Sequence, residues 1–320
     1  MSGLHQYSSE FAKDIQYFID IGEIGYARED LLNPENFSKL TDMPLNDRYD
    51  LINNMIVTKP IMERDNPLGQ PYDEFVAFLL MSVPYEPLFE TEFEDAKTIA
   101  NILGQYDWGA DFSTEKKLNI CRAVKDIYLK IYGSKTDIPI GMIWPRDDAP
   151  KDALDYMSRL HAVFCPYPTE KLRKKLSCET DLKDSKSPLI AFTKAVASRT
   201  PILDLITITL HEIRHFSQVD KRTPQLIQQD LDLVSHLVIN RTRNACYGLM
   251  NERQANAFMG RAADLAKGTK VRSEIEVAAD MLTTKQHGGL SQELSNALLA
   301  YQSFVKNQNT NNAKPTRHPA

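Results

Sequence analysis

Residues 207–218 read TITLHEIRHFSQ, and within them His211 and His215 stand four apart with Glu212 directly after the first. On an α-helix, positions i and i+4 lie about 40° apart around the axis and one turn along it. The two imidazoles therefore project side by side and can reach one ion. Two histidines are an incomplete set, because a catalytic zinc typically takes three protein ligands and keeps a fourth position open. Glu212 is turned too far round the helix to be the natural third ligand. It is placed instead to take a proton from water attacking a carbonyl and to hand it to the leaving amine, which is the chemical content of the HExxH spacing.

The third ligand has to come from elsewhere. Gln218 and Lys221 stand where HExxHxxGxxH would need glycine and histidine, which removes the metzincin pattern, and no GTxxD motif follows. His236 lies among Leu233, Val234, Leu237 and Val238 and reads as a core or boundary histidine. Glu252 opens the segment Asn251-Glu252-Arg253-Gln254-Ala255-Asn256-Ala257-Phe258, with Ala255, Phe258, Met259 and Ala262 on one helical face. A second helix crossing the first would deliver Glu252 to the histidine pair. The alternative is a solvated carboxylate at a helix start, favoured there by the helix dipole.

HEIRH followed by NERQANAF resembles the gluzincin group of zinc metallopeptidases, and the ExxAN string is similar to that of the ImmA/IrrE-like bacterial peptidases. The resemblance covers about residues 136–266. It implies Zn2+ held by His211, His215 and Glu252, with Glu212 as general base. It also implies a residue four positions after the glutamate that supports a ligand histidine. Here that residue is Asn256, whose carbonyl oxygen can accept from an imidazole N–H without adding charge. Arg214 stands where a small residue is common. A peptidase needs groups that stabilise the developing oxyanion. Tyr247 is the candidate, with Arg243 and His161 as further ones. The strand at 188–193 is the expected substrate-pairing edge, since extended peptides bind by adding a strand.

Those residues need elements to hold them. Apolar residues from Ile202 to about Gln218 suit a buried helix, with Thr200 as its N-cap and Pro201 as its first residue. A second helical region is expected from about Asp230 to Ala266, interrupted near Gly248. Three short apolar runs precede the HEIRH helix, at 138–144, 160–165 and 188–193, each bounded as strands are. Residues 1–135 read as mainly helical, from Phe11, Ile15, Phe18 and Ile19 through Phe75, Phe78 and Leu79 to Leu118, Cys121, Val124 and Leu129. The expected fold is α+β: a mostly helical N-terminal region (1–135) and a zincin-like domain (136–302). That domain has a small sheet, an HExxH helix and a glutamate-bearing second helix. A loose polar tail (303–320) follows.

Composition narrows the partners. The chain has 320 residues, is 42% hydrophobic and carries a net charge of −5, which disfavours nucleic acid and anionic membrane. The basic run KLRKK at 171–175 reads as a solvated helix face. No GxGxxG or P-loop marks a nucleotide site. No signal sequence or apolar span is visible, so no membrane insertion is expected. The cytoplasm is the expected compartment; the alternative is a bacterial effector delivered into a host cell without a classical signal peptide. Cys121, Cys165, Cys178 and Cys246 form no CxxC pair, which fits a reducing environment. The leading expectation is a zinc-dependent endopeptidase acting on a protein or peptide substrate. A catalytically silent sensor or binding protein on the same scaffold is the alternative, and an interaction protein with a chance HEIRH is a third. The sequence says nothing about oligomeric state.

Overall fold

The computed structural model describes residues 80–81, 85–105, 111–148, 151, 161–165, 176–179, 182, 187–221 and 248–283. The expectations for 1–79, for the KLRKK run, for 222–247 and for the tail lie outside them. By packing, the chain divides into two units: Pro87–Thr223 with Gln254–Arg272, and Met1–Glu86 with Pro224–Arg253 and Ser273–Ala320. Among the described residues, no helix is long and apolar enough to cross a membrane.

The first of these units is a mixed layer of helices and sheet, in keeping with the expected α+β class. Its elements run α1 (Glu92–Leu103), α2 (Thr114–Ile131), β1 (Ile140–Pro145), β2 (Ala162–Cys165), β3 (Leu176–Cys178), β4 (Leu189–Thr193), α3 (Lys194–Arg199) and α4 (Ile202–Lys221). Helix α5 (Met250–Ala266) enters it from Gln254 onward. Helix α2 is set up by local signals. Ser113 caps it through a bond from the Lys116 N–H, satisfying a donor that the first turn leaves free. Its C-terminus closes at Gly133, which has φ 67°. The Ser134 N–H reaches the Leu129 carbonyl and the Gly133 N–H that of Lys130, a Schellman closure that needs a left-handed residue. Between the caps, Leu118, Cys121, Val124, Tyr128 and Leu129 recur at helical spacing and are buried.

The sheet has strand order β2-β4-β1-β3. Strand β1 runs parallel to β4 and antiparallel to β3, and β2 runs antiparallel to β4. The three expected strands are present, each starting one or two residues later than expected, and the first extends one residue further, to Pro145. The fourth, Leu176–Cys178, has too few residues to show an alternation in sequence. At Gly141 an added Cβ would lie 2.5 Å from a Glu179 carboxylate oxygen and 3.0 Å from Leu182 Cγ, so any larger residue there would require both side chains to shift.

One expectation is corrected here. The 188–193 strand is not an edge. Strand β4 is paired on both sides and every one of its residues is buried, as a five-residue apolar run without alternation demands. The edges are β2 and β3.

Helix α4 packs on α2, β2 and β4. Ile202, Leu205, Ile206, Leu210 and Ile213 join the core formed by α1, α2, the sheet and Phe258 and Ala262 of α5. Burying each such side chain contributes about 1.5–3 kcal/mol. Thr200 does not cap α4 as expected. It ends α3, its N–H bonding the Val196 carbonyl. Its own carbonyl and that of Ser198 accept from the buried Lys117 ammonium at 2.9 and 3.2 Å. A cation there matches the negative end of a helix.

In the other unit, Arg253 in the first turn of α5 is 1% exposed. Its guanidinium meets both carboxylate oxygens of Glu274, at 2.7 and 3.3 Å, at the start of α6 (Glu274–Thr283). It also donates to the carbonyl of Leu80. This two-pronged pairing is the geometry that makes arginine a good buried cation.

Candidate metal centre

The apolar stripe of α4 leaves His211, Glu212 and His215 half-buried on the other side. The two rings stand edge-to-face at 87° with centroids 4.7 Å apart. Their Nε2 atoms face each other at 3.1 Å. His215 Nδ1 lies 2.7 Å from the side-chain oxygen of Gln218. The Gln218 amide nitrogen donates to the Gln254 side-chain oxygen of α5 at 3.1 Å. Two imidazole nitrogens bound to one tetrahedral zinc lie about 3.3 Å apart, given metal–nitrogen distances of about 2.0–2.1 Å. The observed spacing matches that without rearrangement.

Glu252 stands in the first turn of α5, two residues before Gln254 on one unbroken helix. His211, His215 and Glu252 each offer one ligand atom, and these atoms lie within 4.8 Å of one another. Two neutral nitrogens and a carboxylate oxygen form a donor set suited to Zn2+. Asn256 follows one turn after Glu252. It is 1% exposed, and both polar atoms of its side chain lack a hydrogen-bond partner among the described residues. The expected support of an imidazole by Asn256 is therefore not the arrangement found, because Gln218 serves His215 instead. A buried amide left unpaired is an uncommon feature.

Glu212 accepts a hydrogen bond from the backbone N–H of Phe164 at 2.7 Å. The pairing register explains why that N–H is available. The Thr193 N–H bonds to the His161 carbonyl, and Val163 pairs with Ala191. Odd-numbered residues of β2 thus carry the ladder, and the Phe164 N–H points outward from the edge. The carboxylate of the HEIRH motif is held against the free edge of the sheet.

Arg214 has a different task from its neighbours. It is wholly buried. It forms an ion pair with Glu92 at 3.1 Å and donates to Tyr132 Oη at 3.0 Å and Tyr128 Oη at 3.3 Å. The rings of Phe258 and Phe89 flank it at 4.5 and 4.9 Å. Glu92 also meets Arg261 of α5 at 3.3 Å. Tyr132 in turn donates to Asp95, and Tyr128 shares a 2.8 Å hydrogen bond with Ser217. Burial pushes both tyrosine hydroxyls above their usual pKa range, so they stay protonated. For Arg214 burial alone would lower the pKa, but Tyr128 and Glu92 outweigh it and the guanidinium stays charged. Arg214 is thus an anchor joining α1, α2, α4 and α5.

Of the remaining sequence candidates, Tyr247, Arg243 and His236 lie outside the described residues. His161 immediately precedes β2 and is exposed. Gln218 and Gln254 were not singled out by the sequence reading. The one available signal is that Gln218 falls three residues after His215, on the same helical face. Comparison with known proteins returns no match: no family model, no curated protein and no solved structure is significantly similar to this chain.

Proposed function

We propose that the chain is a zinc-dependent endopeptidase in which His211, His215 and Glu252 hold the ion and Glu212 is the general base. One observation carries the reading: two imidazole nitrogens 3.1 Å apart belong to a three-residue donor set within 4.8 Å. Bound zinc would polarise a scissile carbonyl and make water acidic enough to attack at neutral pH. Glu212, one residue round the helix from His211, would take that water's proton and return it to the leaving amine. The outward edge of β2, which already meets Glu212 through the Phe164 N–H, is the surface along which an extended substrate would pair. Tyr247 stays a proposal for oxyanion stabilisation. A reducing cytoplasm and delivery into a host cell both stay open as the site of action.

A catalytically silent zinc-binding sensor is the second reading. It is favoured by the hydrogen bond from the Phe164 N–H at 2.7 Å, which already engages a Glu212 carboxylate oxygen within the protein. Elemental analysis and a peptide-library digest, run on wild type and Glu212→Gln, separate the two. For the peptidase, about one zinc per chain is expected in both proteins, with hydrolysis falling about 10²–10⁴-fold in the variant. Zinc in both with no turnover in either supports the sensor. Absence of zinc from the wild type removes both readings.

A further inference from the structure

We propose that Gln218 is a positioning residue that fixes the His215 ring in its Nδ1–H tautomer, and that Gln254 sets the orientation of the Gln218 amide. This rests on the zinc reading of the site. A neutral imidazole carries one N–H, and only the other nitrogen can bind a metal. The tautomer of His215 therefore decides whether Nε2, the atom facing His211 at 3.1 Å, presents a lone pair or a proton.

The chain of bonds fixes that choice. The Gln218 amide nitrogen donates to the Gln254 oxygen at 3.1 Å, which leaves the Gln218 oxygen 2.7 Å from His215 Nδ1. An amide oxygen can only accept, so Nδ1 must carry the proton and Nε2 the lone pair. Gln218 is 3% and Gln254 4% exposed, so water does not compete for these groups, and an unmade bond there is costly. The reverse arrangement, with both amides turned over, would have Gln218 donate to Nδ1 and would place the proton on Nε2, closing the ring to a metal. The relay also joins α4 to α5 directly at the His215 face. In metal sites such partners of a ligand histidine typically matter 10–100-fold for affinity.

The test reads the tautomer and the metal separately. In metal-free protein, ¹⁵N imidazole shifts are expected to show His215 protonated at Nδ1. In Gln218→Met, which keeps the side-chain length but removes the acceptor, a mixture of tautomers is expected. Zinc affinity measured against a competing chelator should fall about 10–100-fold. Gln218→Glu keeps an acceptor for Nδ1 and should retain both the tautomer and zinc affinity within a few-fold. Gln254→Met should give a smaller loss than Gln218→Met. A merely structural pair would lower the melting temperature in all three variants while leaving tautomer and affinity alone, and that result overturns the proposal. If Gln218→Met does not fold, the wild-type tautomer and Gln218→Glu still decide: an Nε2–H ring in the wild type, or zinc lost in the glutamate variant, overturns it. A wild type with the Nδ1–H ring and no zinc refutes the metal reading instead, so the two failures are distinguishable.

Discussion

Two faces of one helix carry polar residues in this protein, and they are built to opposite ends. On one side of α4, Arg214 and Ser217 are buried against Tyr128, Tyr132 and Glu92. On the other, His211, Glu212 and His215 stay half-buried, and the two imidazoles face each other. The first set is enclosed by aromatic rings, and its guanidinium is paired with the Glu92 carboxylate. The second is only half-buried, and its donor atoms lie within 4.8 Å of one another. A buried ion pair is weak evidence of net stability over an apolar substitute, but removing one partner is strongly destabilising. The enclosed face therefore anchors the helix that carries the 3.1 Å imidazole pair of the open one.

The sharpest way to break this comparison is to swap the readouts. Arg214→Ala removes the buried guanidinium paired with the Glu92 carboxylate, and a loss of about 3–5 kcal/mol in urea unfolding is expected. His211→Ala removes a half-buried ring from the open face. It should cost under about 1 kcal/mol in metal-free protein, yet abolish the rise in stability that added zinc is expected to give the wild type on the proposed reading. If His211→Ala were the more destabilising of the two without metal, the division of labour proposed here would be wrong.

The enclosed face continues to Thr209, whose hydroxyl neighbours Cys121 of α2. Burial pushes that thiol from 9.0 up to about 11, with the Thr209 hydrogen bond and Arg122 opposing. The folded pKa lies above the unfolded one, so the folded state keeps a proton that the unfolded chain gives up. Stability fully present below about pH 9 should fall as the pH rises toward 11, by about 3 kcal/mol from this group alone. Cys121→Ala should start about 1–2 kcal/mol less stable at pH 8 and lose less on the way up, so the two curves converge. Parallel curves from pH 8 to 10.5 would show that the thiol is not the titrating group.

How much of this was legible in the sequence follows the same division. The helical placement of the open face was readable, because an i, i+4 pair has a fixed geometry on a helix: His211, Glu212 and His215 sit on α4, and Glu252 sits in the first turn of α5. The enclosed face was not. Nothing local tells Arg214 that Glu92, more than a hundred residues earlier in the chain, will meet it. A buried arginine reads as a surface one until tertiary packing supplies its partners. Strand β4 shows the same limit. Its apolar run predicted a strand, but whether a strand is central or at an edge depends on neighbours that pair from elsewhere. Gln218 stands three residues after His215 in the sequence. Its use depends on Gln254 arriving from another helix, so its type alone carried no signal. Thr200 and Pro201 looked like a helix start because cap preferences are local, and they shifted by one residue because a short helix, α3, ends at the same place.

The smallest expected effect sharpens the comparison most finely. The Tyr128 hydroxyl sits 2.8 Å from Ser217 Oγ and 3.3 Å from Arg214 Nη1, so it links two residues of the enclosed face to α2. Tyr128→Phe keeps the ring and its edge-on contact with Phe258 and deletes only the hydroxyl. Ser217 Oγ then loses its partner while buried, and a loss of about 1–2 kcal/mol is expected. Ser217→Ala should cost about 1 kcal/mol, because the tyrosine keeps its bond from Arg214. In the double variant no partner is left stranded, so the total should fall short of the sum by about 0.5–1 kcal/mol. Zinc affinity should stay within two-fold in all three proteins, since none of these atoms touches the His215–Gln218–Gln254 relay. Additive stabilities would mean that the hydroxyls do not act as a pair. A ten-fold change in zinc affinity would mean that the two faces of α4 are coupled through the helix rather than kept apart by it.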